Sequence, residues 1–264
     1  MILDEIVKST FKRVEESYKR EPLASVKEKA AAAARQGRTD FPFEEALKKK
    51  PIAFICEVKK ASPSKGIIAE EFDYIQIARE YEAAGAACIS VLTEPEFFKG
   101  STKYLEEISK EVKIPLLRKD FVIDEYQIYE AKVIGADAVL LICAILNEEQ
   151  LKKYILLAHS MGLSTVVEAH DEKEVMMAKR CGARIIGVNN RNLKDFTVDI
   201  NNSLRYRKMV GEHVLFLSES GIRNADDIKR LVEHHVNAVL IGETLMRSDN
   251  KKERINQLLE KVTF

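Results

Sequence analysis

Pro115-Leu116-Leu117-Arg118-Lys119-Asp120-Phe121 is a short apolar run that delivers a lysine and then breaks into a loop carrying an aromatic ring. The arrangement recurs in both directions. Upstream, Phe54-Ile55-Cys56-Glu57-Val58-Lys59 starts apolar and ends charged. Downstream, Thr165-Val166-Val167-Glu168, Ile185-Ile186-Gly187-Val188-Asn189-Asn190-Arg191 and Val214-Leu215-Phe216-Leu217-Ser218-Glu219-Ser220-Gly221 do the same. A single charge after a strand is as often a solvated loop residue as a functional one. Five strands ending this way describe a barrel with packed walls and a chemical C-terminal mouth.

Working outward, strand candidates occupy 52–58, 87–91, 114–118, 137–142, 163–168, 184–188, 213–218 and 237–241. Helical patterns fill most gaps, for example at 74–84, 125–134, 148–161, 172–180 and 225–232. Gly85, Gly135, Gly162 and Gly182 stand where left-handed caps end such helices. Buried Val/Ile/Leu-rich strands alternating with helices indicate a parallel sheet. Eight units favour closure into a (β/α)8 TIM barrel, and no GxGxxG follows the first strand to support a dinucleotide-binding sheet. The first ~50 residues read as a helical extension of the barrel: Leu3, Ile6, Val7, Phe11 and Val14 recur at helical spacing, an alanine-rich run lies between Pro22 and Gly37, and Phe43, Ala46 and Leu47 mark a short helix. One domain over 1–264, with 1–50 as its extension, is the expected organisation.

The chain has 264 residues, 46% of them apolar, and 42 basic against 42 acidic side chains. This balance gives no global field toward nucleic acid or a membrane surface. The longest apolar run, 138–146, is about half what a spanning helix needs. Asp4, Glu5 and Lys8 interrupt the N-terminus where a signal peptide would be apolar. Cys56, Cys88, Cys143 and Cys181 form no CxxC and no cluster with histidine, so reduced thiols, a cytoplasmic location and no metal are expected.

Side chains alternate along a strand, so Glu57 and Lys59 share a direction, as do Lys119 with Phe121 and Asn189 with Arg191. Lys59, Lys119 and Arg191 therefore meet Glu57, Glu168 and Glu219 at one mouth. A rim of structural salt bridges is the bland alternative, but buried pairs seldom improve on apolar packing, which favours function. Ser220-Gly221 after strand seven and Gly242-Glu243 after strand eight, before a short helix at 244–247, suggest a phosphate site, because glycines let backbone N–H groups approach an anion. Ser62-Pro63-Ser64-Lys65-Gly66 lacks P-loop spacing and reads as a mobile βα loop over the mouth. Ser218-Glu219-Ser220-Gly221 lacks the first glycine of a nucleophile elbow. His234-His235 reads as surface.

Ile55–Gly66, Leu117–Phe121, Val167-Glu168, Gly187–Leu193 and Ser218–Ile222 together resemble the indole-3-glycerol-phosphate synthase family of tryptophan biosynthesis, over essentially the whole chain. The resemblance implies a carboxy-lyase that cyclises, decarboxylates and dehydrates 1-(2-carboxyphenylamino)-1-deoxyribulose 5-phosphate without a cofactor. It implies Lys119 as general acid, Lys59 on the phosphate and in proton transfer, and Glu168 in the dehydration. Glu57, Asn189 and Glu219 would orient substrate and lysines. Arg191 and Ser62 would lie near the carboxylate or sugar, and Ser220, Gly221, Gly242 and Glu243 around the phosphate. Phe98, Phe121, Leu140 and Leu193 would form the slot for the aromatic ring. A small-molecule sugar phosphate is the expected partner, with a monomer the expected state and room for loose association with other tryptophan-pathway enzymes. Two alternatives remain open. A phosphoribosylanthranilate isomerase would use a Cys/Asp acid–base pair, and Cys56 has the opposite parity to Glu57. A catalytically dead sugar-phosphate-binding regulator would have lost Lys59, Lys119 or Glu168.

Overall fold

Every apolar run of the repeating pattern becomes one parallel strand in the computed structural model, which describes residues 2–36, 40–48, 51–192 and 195–262. Gly37 and Leu193, both singled out in the sequence, lie outside the described residues. The strands are β1 Ala53–Val58, β2 Cys88–Leu92, β3 Leu116–Lys119, β4 Ala138–Ile142, β5 Ser164–Ala169, β6 Ile185–Asn189, β7 Leu215–Glu219 and β8 Ala238–Ile241. They close in chain order, β1 pairing with both β2 and β8. This is the (β/α)8 barrel. β3 begins later than the sequence suggests, because Pro115 has no N–H to donate and only its carbonyl joins the ladder, accepting from Ile89 N–H at 3.0 Å.

Strand parity sorts the apolar residues into two layers. Ala53, Ile55, Leu117, Leu140, Val166 and Leu217 pack inside the barrel, whereas Phe54, Cys56, Val91, Val139, Val167 and Phe216 face the helices. Continuing the inward series toward the C-terminal ends gives Glu57, Lys119, Glu168, Asn189 and Glu219. The register places Asn189 opposite Glu219 and Glu168 opposite Gly187.

Between the strands lie α4 Tyr74–Ala83, α5 Thr102–Glu111, α6 Glu125–Val133, α7 Glu148–Ser160, α8 Glu172–Arg180, α9 Asn201–Arg207 and α10 Ala225–Glu233. After β8 come α11 Glu243–Met246 and α12 Lys251–Leu259. Side chains fix where many of them start. Asp73, Ser101, Asp124 and Asp171 each accept a first-turn backbone N–H, and Asn147 and Asn224 form capping boxes. The four cap glycines all have positive φ.

Among the described residues, three helices precede the barrel: α1 Ile2–Arg20, α2 Leu23–Gln36 and α3 Pro42–Leu47. α2 runs along α6, with Lys27 Nζ 3.2 Å from Glu125. α3 closes the barrel floor: Phe43, Ala46 and Leu47 join the inner apolar layer. The 61–67 loop forms a tight hairpin, Ala61 pairing with Ile67 and Ser62 with Gly66, whose φ is +65°. No helix among the described residues is long and apolar enough to cross a membrane.

Candidate active site at the barrel mouth

A cavity of about 640 Å³ opens at the C-terminal ends of the strands. Its centre is Lys119, whose Nζ lies 3.0 Å from Glu168 Oε2 and 2.6 Å from Glu219 Oε2. All three side chains are nearly buried. Burial alone would lower the Lys119 pKa, but Glu168, Glu219 and Glu57 outweigh it and hold the ammonium well above the ordinary lysine value. The two carboxyls diverge. Burial raises the pKa of each, but Lys119 and His170 pull Glu168 far below the carboxylate range, whereas Glu219, facing the Glu168 charge, is pushed up to about 7. Two carboxyls in one pocket, one ionised and one able to carry a proton at neutral pH, are equipped for different proton transfers.

Asn189 connects this centre to the next loop. Its Nδ2 donates to Glu168 Oε1 at 3.3 Å, and its Oδ1 accepts from Ser220 Oγ at 3.0 Å and from the Arg191 N–H at 3.0 Å. Ser220 and Gly221 have φ of +65° and +84°, turning the backbone sharply after β7. Just past the next strand, Gly242 lets Glu57 and Lys59 approach: an added Cβ would collide with Glu57 Oε2 and lie 2.8 Å from Lys59 Nζ. Lys59 itself is ion-paired with Glu57. Glu243 opens α11 and turns its carboxylate to Arg247 Nε at 3.1 Å, with Lys65 Nζ at 3.8 Å. Lys59, Ser220, Gly221, Gly242 and Glu243 thus all line one end of the cavity.

At the other end, the Phe98 and Phe121 rings stand 6.0 Å apart, tilted by 38°, with Leu140 and Leu92 on the cavity wall. Ile2, Leu3 and Ile6 of α1 complete the apolar lining. Phe98 is set by a device the sequence did not announce. The buried Glu94 carboxylate accepts the N–H groups of Glu96, Phe97 and Phe98 at 3.0, 2.7 and 3.0 Å. Ser62 and Arg191 also line the cavity, and Arg191 Nη1 donates to the Phe196 carbonyl at 3.4 Å. The anticipated rim charges share this mouth, although Arg191 holds a backbone carbonyl rather than one of the glutamates.

Other functional neighbours were also not singled out in the sequence. Asp120 accepts both Nη groups of Arg13, at 2.8 and 2.6 Å, together with Thr93 Oγ1 at 2.6 Å. Asn190, buried, donates to Ser218 Oγ and the Ser220 carbonyl, both at 3.0 Å. His170 lies between Glu168 and Glu174. Each lies within two residues of a recognised mouth residue, and that adjacency was the available signal. Cys56 faces the helices, where burial pushes its thiol pKa up, so it supplies no acid at the mouth. His235 is exposed, and His234 hydrogen-bonds the Arg230 carbonyl through Nδ1 at 2.8 Å. No group of three His, Cys, Asp or Glu residues suited to a metal occurs among the described residues.

The family model for indole-3-glycerol phosphate synthase matches residues 3–258. An indole-3-glycerol phosphate synthase of Ruminiclostridium cellulolyticum is 57% identical over 258 residues, covering 98% of both chains. Its counterpart in Endomicrobium trichonymphae is 54% identical, over 98% of this chain and 99% of that one. Among solved structures, a 3-hexulose-6-phosphate synthase from Salmonella typhimurium superposes with a TM-score of 0.65 at 12% identity, covering 79% of this chain and 97% of that one. A thiamine phosphate pyrophosphorylase from Pyrococcus furiosus gives a TM-score of 0.57 at 15% identity, with coverage of 81% and 96%. At such identities the structural matches speak to the barrel alone.

Proposed function

The chain belongs to the indole-3-glycerol phosphate synthase family, and from that premise we propose how its barrel mouth closes, decarboxylates and dehydrates 1-(2-carboxyphenylamino)-1-deoxyribulose 5-phosphate. The observation that carries the assignment of roles is Lys119, gripped by Glu168 and Glu219 between an aromatic slot and a glycine-lined pocket.

The phosphate sits against Lys59 and the backbone of Ser220, Gly221, Gly242 and Glu243. The anthranilate ring packs against Phe98, Phe121 and Leu140, with its carboxylate toward Arg191 and Ser62. That placement brings the substrate carbonyl to Lys119. The ammonium protonates the carbonyl oxygen while the carboxylate-bearing ring carbon attacks the carbonyl carbon. Loss of carbon dioxide returns the bonding electrons to the ring and restores aromaticity. The new hydroxyl then departs as water with a proton from Lys59, and Glu168 removes a proton from the neighbouring ring CH2 to form the indole double bond. Glu57, Asn189 and Glu219 hold the lysines and substrate hydroxyls in place. Two protons enter and one leaves, so each turnover draws one proton from solvent, as conversion of a carboxylate into neutral carbon dioxide requires. Every step is a proton transfer or a carbon–carbon or carbon–oxygen change, which side chains of shifted pKa can serve.

The same proposal takes the chain as one barrel domain with its helical extension, acting as a cytoplasmic monomer with at most loose association with other tryptophan-pathway enzymes. Indole fluorescence, followed after adding the substrate to purified protein, tests the activity. Lys119→Met tests the roles: turnover should fall by at least ~10²-fold with the fold intact. Retention of more than about a tenth of wild-type turnover would remove Lys119 from the general-acid role.

A further inference from the structure

Glu168 and Glu219 share Lys119 but not their surroundings. Glu219 Oε1 is buried with no hydrogen-bond partner among the described residues. Glu168 has a second cationic neighbour: His170 Nε2 lies 3.2 Å from Glu168 Oε1, an ion-pair contact outside hydrogen-bond geometry. The other ring nitrogen, Nδ1, is 3.1 Å from Glu174 Oε2, and that same oxygen accepts the His170 backbone N–H at 2.7 Å. An imidazole whose Nδ1 hydrogen-bonds one carboxylate and whose Nε2 lies at ion-pair distance from another is favoured as the imidazolium.

The arrangement matters once turnover begins. When Lys119 passes its proton to the substrate, Glu168 loses that counter-charge while still buried, and burial then favours the neutral acid. A protonated Glu168 is no base. We propose that His170, oriented by Glu174, is a positioning residue that keeps Glu168 ionised and aimed at the dehydrating intermediate after Lys119 has given up its proton. It thereby makes Glu168, rather than Glu219, the base. This inference rests on the activity proposed above.

The groups around the imidazole favour its charge. Glu168 faces it from β5 and Glu174 from α8, with Asp171 at the N-cap of α8. Cys143, from the turn after β4, donates to the Glu174 carbonyl at 3.6 Å and is a neutral thiol, its pKa raised by burial. Lys119 stands on the far side of Glu168, and Asn189 brings only a neutral amide to it. Burial alone would lower the His170 pKa, but Glu168 and Glu174 push it up to about 10, so the positive charge persists through neutral pH.

The test is the pH dependence of kcat in His170→Gln and His170→Lys variants, read by indole fluorescence. His170→Gln should lower kcat roughly tenfold or more near neutral pH and move its acid limb upward by about one unit or more, with KM changed little. His170→Lys, which restores a cation, should return the limb toward its wild-type position. A wild-type kcat and acid limb in His170→Gln overturn the proposal. So does a loss uniform across pH in both variants, which would mark a merely structural residue. Wild-type protein that forms no indole product would instead remove the activity reading itself.

Discussion

Gly187 sets the geometry of the catalytic centre by what it lacks. An added Cβ would lie 2.5 Å from Glu219 Oε1 and 3.3 Å from Val166 Cγ1. Only a residue without a side chain lets the Glu219 carboxylate cross the β6 backbone to Lys119. Gly187→Ala should therefore fold with nearly unchanged thermal stability, because the end of a flexible side chain can move aside. Its kcat should drop by ~10²-fold, the scale associated with displacement of a reacting group by about 1 Å. Equal melting temperatures with unequal kcat would bear this out, and wild-type kcat would refute it. Glu219 also carries a pH signature. Its carboxyl is pushed up from 4.5 to about 7, so the folded state holds that proton more tightly than the unfolded chain. The sign follows: the group costs no stability below about pH 4.5, and the cost grows as pH rises through about 7. Glu219→Gln removes that cost. Its melting temperature relative to wild type should be higher at about pH 8 than at about pH 4.5, while turnover falls at both, as expected when an active site is kept at the expense of stability. A melting-temperature difference independent of pH would mean that Glu219 does not titrate in this range.

Among the elements, α1 is tied to the end of the catalytic strand by a half-buried strut. Arg13 grips Asp120, the residue after Lys119, and Asp120 Oδ1 also accepts the Phe121 N–H at 2.8 Å. Burial alone would raise the Asp120 pKa, but Arg13 and Arg118 overcome it and hold the carboxyl below its ordinary range. A depressed pKa contributes stability above the unfolded value of about 3.9, lost only as pH falls through the folded value. The strut therefore holds throughout neutral pH. Arg13→Ala leaves Arg118 as the cation beside Asp120, and should cost about 2–4 kcal/mol in urea unfolding. It should also raise KM, because Ile2, Leu3 and Ile6 of the same helix line the cavity. Phe11→Ala, on an exposed position of α1, is the control and should change neither. An Arg13→Ala variant with wild-type stability and KM would show that the extension docks without the strut. Nothing in the sequence foretold this pair. Helical spacing identifies α1, and strand parity aims Lys119 and Phe121 inward, but periodicity within an element does not say which distant side chain meets its neighbour. The same limit hid Glu174 behind His170, and Glu94 behind Phe98. Glu57, Glu168, Asn189 and Glu219, by contrast, were legible because position on an inward-facing strand face is itself a statement of place.

Across the whole molecule, stability and chemistry occupy opposite ends of the barrel. The mouth collects the Lys59, Lys119, Glu57, Glu168 and Glu219 charges beside Ser220 and Gly221 at positive φ. The floor is closed by the apolar side chains of α3. Its Phe43 is fully buried in the layer of Ala53, Ile55, Leu117 and Ala138. Around that plug, the Arg184 guanidinium lies 3.9 Å from the Phe41 ring centroid and 2.8 Å from Glu44. Burial, with Arg184 nearby, pushes His159 down to about 4, so the ring stays neutral there and packs edge-on to Phe41. The sequence disclosed the eight alternating units and hence the closed sheet. It gave α3 only as a short helical piece, because an apolar triplet does not reveal whether it packs on an outer helix or stops the barrel floor. The separation of ends leads to a test that mirrors Gly187→Ala. Phe43→Ala leaves a cavity that the ring of surrounding strands cannot collapse to fill, so it should lower unfolding stability by about 3–5 kcal/mol. Because no catalytic group touches the floor, kcat measured well below the variant's melting temperature should stay within about twofold of wild type. A variant that kept its stability would show that α3 caps the barrel without supporting it. One that lost kcat at full occupancy of the folded state would show that the floor and the mouth are mechanically coupled through the strands, and that the barrel transmits packing changes along its axis.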